Sequence, residues 1–229
     1  MKTSLILALS IAFFPLVTKV VGQDVRVRSL CFKEGFPVEL YAYETAGFAK
    51  AGMVEIKSFL NHEESILKLK TRSVLFTRKS NPASATDVNE VIGKVDLPPA
   101  SPSCILLFMP ESNEPGNYQS KVVSIDDSAK SFPPGSFKVV NLGSLPVKIE
   151  LEKESYEIPA GESKVIDKPP YGENQSVAMT AFCKRDEKWQ TITSSVWLNP
   201  GTRRVLQLIT EDPVSKQVEI KGIRDVVVP

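Results

Sequence analysis

Phe137-Lys138-Val139-Val140-Asn141-Leu142-Gly143-Ser144-Leu145-Pro146-Val147-Lys148-Ile149-Glu150-Leu151 reads as two strands joined by a turn. Val147, Ile149 and Leu151 alternate with Lys148, Glu150 and Glu152. Successive side chains therefore point to opposite faces of a sheet, one apolar and one polar. Asn141, Gly143 and Pro146 supply the turn: Asn tolerates the left-handed region, Gly takes positive φ freely, and Pro fixes φ. The same punctuation occurs near the front of the chain. In Phe36-Pro37-Val38-Glu39-Leu40-Tyr41, Val38 and Leu40 stand where Val147 and Ile149 fall, and Glu39 where Lys148 falls.

The likeness extends well beyond one hairpin. Residues 91–108 align without a gap on residues 192–209, so that Val95 meets Val196, Leu97 meets Leu198, Pro99 meets Pro200 and Leu107 meets Leu208. Ser73 to Thr77 echoes Ser176 to Thr180, and Val122 to Asp127 echoes Glu219 to Asp225, in the same order in both halves. The divider is Ala129-Lys130-Ser131-Phe132-Pro133-Pro134-Gly135, whose prolines and glycine oppose regular structure. The reading is all-β: two tandem β-sandwich units, immunoglobulin-like or similar, formed by an internal duplication over residues 23–128 and 129–229. Each unit reads as about seven short strands separated by turn residues. Asn61 to Leu69 and Ala83 to Ile92 are the stretches most compatible with a turn of helix. Cys104 to Met109 is apolar on both faces and calls for a second covering layer, whereas Leu206-Gln207-Leu208 reads as half-exposed.

Residues 1–22 have the form of a signal peptide: Lys2, an apolar run from Leu5 to Val17, and small residues Val20 and Gly22 before the expected cut. The run is too short to span a bilayer as a helix, and no later stretch is long enough, so no membrane span is expected after cleavage. Without Lys2 and Lys19, 26 of the 28 basic residues remain against 27 acidic ones. That balance argues against a nucleic-acid partner, which would show as a clustered basic excess. The expected location is periplasmic or extracellular.

The opening Val25-Arg26-Val27-Arg28-Ser29-Leu30-Cys31-Phe32-Lys33-Glu34-Gly35-Phe36-Pro37-Val38-Glu39-Leu40-Tyr41, with Phe137 to Ile149 behind it, resembles the start of β-sandwich repeat modules in exported bacterial proteins of uncharacterised function. That resemblance implies the fold class and an envelope setting, and it brings no functional residue with it.

Catalytic and metal motifs are sparse. His62 is the only histidine, and no Gly-x-Ser-x-Gly elbow accompanies it. Its neighbours Glu63 and Glu64 match no standard metal spacing, and a solvated loop is the plainer reading. Cys31, Cys104 and Cys183 lie in apolar strand patterns and read as small buried hydrophobes. The doublets Asp126-Asp127 and Asp186-Glu187 read as turns or solvated edges; Arg203-Arg204 could bind an acidic group, though a surface turn is the more ordinary reading. Paired carboxylates keep a hydrolase as a residual alternative.

Aromatic residues give the remaining candidate ligand site. If residues 189–197 form one extended strand, Trp189 and Trp197 share a face, and with Tyr171 they offer a surface for stacking on sugars; the plainer reading puts Lys188-Trp189 in the turn and Trp197 in the packing of its own unit or of the seam between units. The sequence thus predicts an exported, non-catalytic binding or scaffolding protein without metal or cofactor. Its partner is a glycan or, alternatively, a cell-envelope protein met through strand edges and the apolar strand around Leu106, as in a structural or assembly component.

Overall fold

The computed structural model describes residues 22–112, 114, 116–212 and 215–226. The expected signal segment lies outside them except for Gly22. The described chain is all-β, with several sheets and one four-residue 3-10 turn at Pro82–Ala85. The strands before the connector are β1 (Gln23–Leu30), β2 (Glu39–Glu44), β3 (Lys50–Lys57), β4 (Ser65–Leu69), β5 (Ser73–Thr77), β6 (Val91–Asp96), β7 (Ser103–Pro110) and β8 (Ser120–Asp126). After it come β9 (Phe137–Asn141), β10 (Val147–Leu151), β11 (Glu154–Ile158), β12 (Ser163–Ile166), β13 (Ser176–Arg185), β14 (Lys188–Leu198), β15 (Arg204–Glu211) and β16 (Val218–Asp225).

Later strands sit in two sheets, ordered β11-β10-β13-β14 and β12-β9-β15-β16. Six pairings recur in both halves. Antiparallel β1·β4, β2·β3, β2·β5, β5·β6 and β7·β8 recur as β9·β12, β10·β11, β10·β13, β13·β14 and β15·β16. Parallel β1·β7 recurs as β9·β15. One pairing belongs to the first half alone: a short parallel bridge, Ser29 to Ile56 and Leu30 to Lys57, which joins its strands into one eight-stranded sheet.

The period-2 pattern decides where each face goes. Val147, Ile149 and Leu151 are buried, while Lys148 and Glu150 on the other face are half-buried. The stretch Asn61 to Leu69 holds no helix, because Leu67 and Leu69 are buried while Ile66 and Lys68 are exposed, the alternation of a strand. Val25, Leu40, Phe76 and Phe108 belong to one core and Val139, Ile149, Leu151 and Trp197 to another. A third apolar cluster joins the two halves. It takes Leu30, Ile105, Leu107 and Ile125 from the first, Val140, Leu206, Leu208 and Ile223 from the second, and Phe132 from the connector.

This seam is built from matching register positions. Leu30 pairs with Leu107 as Val140 pairs with Leu208, and Ile105 pairs with Ile125 as Leu206 pairs with Ile223. The sheet containing β1 and β7 thus turns Cys104, Leu106 and Phe108 toward its own core and Ile105 and Leu107 toward the seam. Leu106 is fully buried, so the apolar strand around it is no open contact surface. The half-exposed reading of Leu206-Gln207-Leu208 is also overturned: both leucines are buried in the seam, and Gln207 is only 7% exposed. Its side chain lies over Gly222, where an added Cβ would stand 3.1 Å from Gln207 Oε1.

Truncating Ile105 to Ala removes buried volume from the seam and should cost about 2–5 kcal/mol in urea unfolding. The variant should still unfold in a single transition read by tryptophan emission and far-ultraviolet circular dichroism. Two separated transitions in the parent protein would show that the seam does not couple the halves.

Candidate functional site

At one end of the seam the apolar contacts give way to charge. Arg28 is two residues from Leu30 on β1, and Arg204 is two residues before Leu206 on β15, so strand alternation turns both guanidinium groups into the seam. Asp225, the last residue of β16, pairs with Arg204. Asp127 occupies the matching place just beyond β8, where its backbone N–H donates to the Ser103 carbonyl at 3.1 Å.

These four side chains close a ring in which each aspartate bridges both arginines. Arg28 Nη1 donates to Asp225 Oδ1 at 2.6 Å and Nη2 to Asp127 Oδ2 at 2.6 Å. Arg204 Nη2 donates to Asp127 Oδ1 at 2.8 Å and also to Asp225, whose Oδ2 accepts from Arg204 Nε at 3.0 Å. Carbonyls take further donors: Arg28 reaches Leu60 at 3.1 Å, and Arg204 reaches Phe132 at 2.9 Å with its guanidinium over the Phe132 ring. The side chains are only 9%, 4%, 6% and 0% exposed for Arg28, Asp127, Arg204 and Asp225. Ions so deeply buried persist only when paired and hydrogen-bonded, and this ring has two charges of each sign. Burial by itself would raise the Asp225 carboxyl, but hydrogen bonds and charge from Arg28 and Arg204 hold it below the ordinary aspartate range.

Next to the ring the connector is strapped down. Burial opposes ionisation of Asp126, yet the hydroxyls of Ser101 and Ser131, each at 2.6 Å, and the Ser128 N–H at 2.9 Å bring its pKa down to about 2. Lys138, in the register position that Arg28 holds in the first half, donates from Nζ to the carbonyls of Asp126 at 2.9 Å and Ser131 at 3.2 Å.

Arg28, Asp127 and Arg204 of the ring line a cleft of about 950 Å³ together with Arg26, Leu60, His62 and Glu64. His62 is half-buried. Its Nδ1 lies 2.9 Å from the Glu63 carbonyl, its Nε2 is buried without a partner among the described residues, and burial, aided by the charge of Arg28, lowers its pKa against that carbonyl. The cleft therefore offers little free charge, because its buried cations and anions are committed to one another. Among the described residues no group of three or more His, Cys, Asp or Glu is placed to hold a metal ion.

Several residues behave differently from their sequence reading. Asp127 and Arg204 are no surface turn: both are buried at the seam, while Asp126 beside them is half-buried. The signal in the sequence was an aspartate at the end of the last strand of each repeat. Asp186 and Glu187 do form a turn, both at positive φ, between β13 and β14. All three cysteines are free and buried, and burial pushes the Cys104 thiol up to about 12.

Trp189 and Trp197 do not share a face. The register of β13 against β14 shifts between Ala181 and Phe182, which pair with Thr193 and Thr191 and leave Ile192 as an extra residue. A one-residue bulge reverses the parity of the strand beyond it. Trp197 consequently points into the core, 5% exposed and stacked on Phe137 at 4.3 Å. Trp189 lies on the outer side, where Lys148 Nζ stands 5.1 Å from its ring and 4.5 Å from that of Phe182. Tyr171 is half-buried against the second core, its hydroxyl buried without a partner among the described residues and pushed up to about 12 by burial. The three rings form no common stacking surface.

Asp225→Asn should destabilise the protein by about 3–5 kcal/mol, since it leaves a buried guanidinium uncompensated. For carboxylates with depressed pKa the stabilisation is complete above the unfolded value of about 3.9 and is lost as pH falls toward the folded one. The urea midpoint should hold from pH 7 to 5 and fall below about pH 4. Asp126→Asn should flatten that acid limb, measured as midpoint against pH.

No known protein family matches this chain, and no curated protein matches it. Two crystal structures align with it along most of its length, each described as a "putative cell adhesion protein". One, from Bacteroides ovatus, has 7% identity and a TM-score of 0.23, covering 91% of this chain and 99% of its own. The other, from Parabacteroides distasonis, has 8% identity and a TM-score of 0.19, covering 92% and 98%. Likeness at that level carries no argument about fold or role.

Proposed function

We propose that this is an exported, non-catalytic scaffolding protein: two tandem β-sandwich units, residues 23–128 and 129–229, descended from an internal duplication and held as one body that meets other envelope proteins by surface contact. The observation that carries this reading is the closed Arg28–Asp127–Arg204–Asp225 ring. The largest concentration of buried ionisable groups is used to fix one half against the other, which favours presentation of surfaces at a set geometry over proton transfer. The recurrence of six strand pairings in the same order supports the duplication. No described helix is long and apolar enough to cross a membrane.

The glycan reading is weakened by the burial of Trp197 and by the Lys148 ammonium, which already occupies Trp189 and Phe182. A panel of soluble polysaccharides should leave tryptophan emission unchanged, while cross-linking in the intact source cell should capture the chain on an exported protein. A saturable emission change that Trp189→Ala abolishes would move the function to glycan binding.

A further inference from the structure

The two halves differ sharply at one sheet edge. In the first half, β6 ends its row but β8 lies across it: Ser124 Oγ donates to the Asp96 carbonyl at 2.6 Å. The approach is so close that a Cβ at Gly93 would stand 2.5 Å from the Ser120 carbonyl oxygen and 2.7 Å from Val122. The equivalent strand β14 is also an edge, pairing with β13 alone, yet no β16 residue makes such an approach among the described residues. It is eleven residues long where β6 has six. Ser195 pairs with Met179, so its side chain lies on the core side of the sheet, and it is nonetheless exposed: the sandwich gapes at this edge.

Its composition is equally unusual for an edge. From Trp189 to Leu198 the sequence is Trp-Gln-Thr-Ile-Thr-Ser-Ser-Val-Trp-Leu, without a charge or proline, the residues by which open edges are ordinarily blunted. β6, by contrast, carries Gly93, Lys94 and Asp96. On the outer face Val196 and Leu198 are 60% and 57% exposed, and Ala178, paired with Val196, is exposed beside them.

We propose that β14 is a strand-addition edge occupied by β14 of a second copy of this chain, antiparallel and two-fold about Val196. The argument for a second copy is self-complementarity. Directly opposed residues of an antiparallel pair share a face, so a two-fold between identical edges must pass a residue position. With the axis at Val196, Val196 meets its counterpart and each Leu198 meets Ser194 of the other copy, so the four exposed apolar side chains cluster on one face. No like charges oppose one another, because Lys188 falls outside the paired span and the bulge at Ile192 ends it. The two four-stranded sheets become one of eight strands. This proposal rests on the scaffolding reading and specifies one of its contacts.

Sedimentation equilibrium of the exported chain should show a reversible dimer. Val196→Lys, which places two ammonium groups at the axis, should raise its dissociation constant at least tenfold, while Val38→Lys, equally exposed elsewhere, should not. Val196→Cys should form a covalent dimer under mild oxidation, since the native thiols are buried, and Val38→Cys should not. A monomer at all concentrations whose Val196→Cys form does not cross-link, or a dimer that Val196→Lys leaves intact, would overturn the proposal. Capture of a different exported protein in cells by such a monomer would leave the scaffolding reading standing without it; a glycan response lost in Trp189→Ala would end that reading whatever the oligomeric state.

Discussion

The buried ring of Arg28, Asp127, Arg204 and Asp225 is the constraint on which the arrangement of the halves depends. Four ions lie away from water, and none would keep its charge there without the others. Their positions are dictated by strand alternation. The face that carries Leu30, Leu206 and Leu208 into the seam carries the two arginines as well, so apolar packing and ion pairing fix the same register. A slip of either sheet by one residue would break both at once.

Around that constraint the two halves differ. Leu30, Ile105, Leu107 and Ile125 have matching partners in Val140, Leu206, Leu208 and Ile223, but the charged positions diverge. Lys138 holds the place of Arg28 and donates to the backbone carbonyls of Asp126 and Ser131 instead of to a carboxylate, and Ser103 holds the place of Arg204. At the periphery the divergence is larger. In the first half Gly93 lies beneath β8 and a bridge joins β1 to β3, whereas β14 in the second pairs with β13 alone among the described residues.

What could be read from the sequence follows from how local each signal is. The alternation in Val147 to Leu151 is a property of five neighbouring residues, and the structure buries the side predicted. The gapless alignment of residues 91–108 on 192–209 holds in pairing register only over its second part, where Ile105 and Leu206 keep matching places; Val95 pairs with Val74 as Trp197, and not Val196, pairs with Val177, so β6 and β14 are displaced by one residue. The ring was not legible. Arg26 and Arg28 sit in one Val-Arg-Val-Arg alternation and look alike, yet Arg26 is exposed beside Glu64 while Arg28 is covered by a sheet that begins more than a hundred residues later. The tryptophan face failed for a different reason. Counting parity from Trp189 to Trp197 assumes a regular strand, and the extra residue at Ile192 leaves no mark in composition.

The ring also has a consequence for how the molecule comes together. Arg28 and Asp127 belong to the first half, Arg204 and Asp225 to the second, and each half therefore brings one cation and one anion that already contact each other within it. Before docking, each exposed end is a neutral zwitterion. Closing the seam trades two such pairs for one ring without a change in net charge or protonation, so the encounter is governed by shape and the desolvation of leucine and isoleucine, and ionic strength has little hold on its rate.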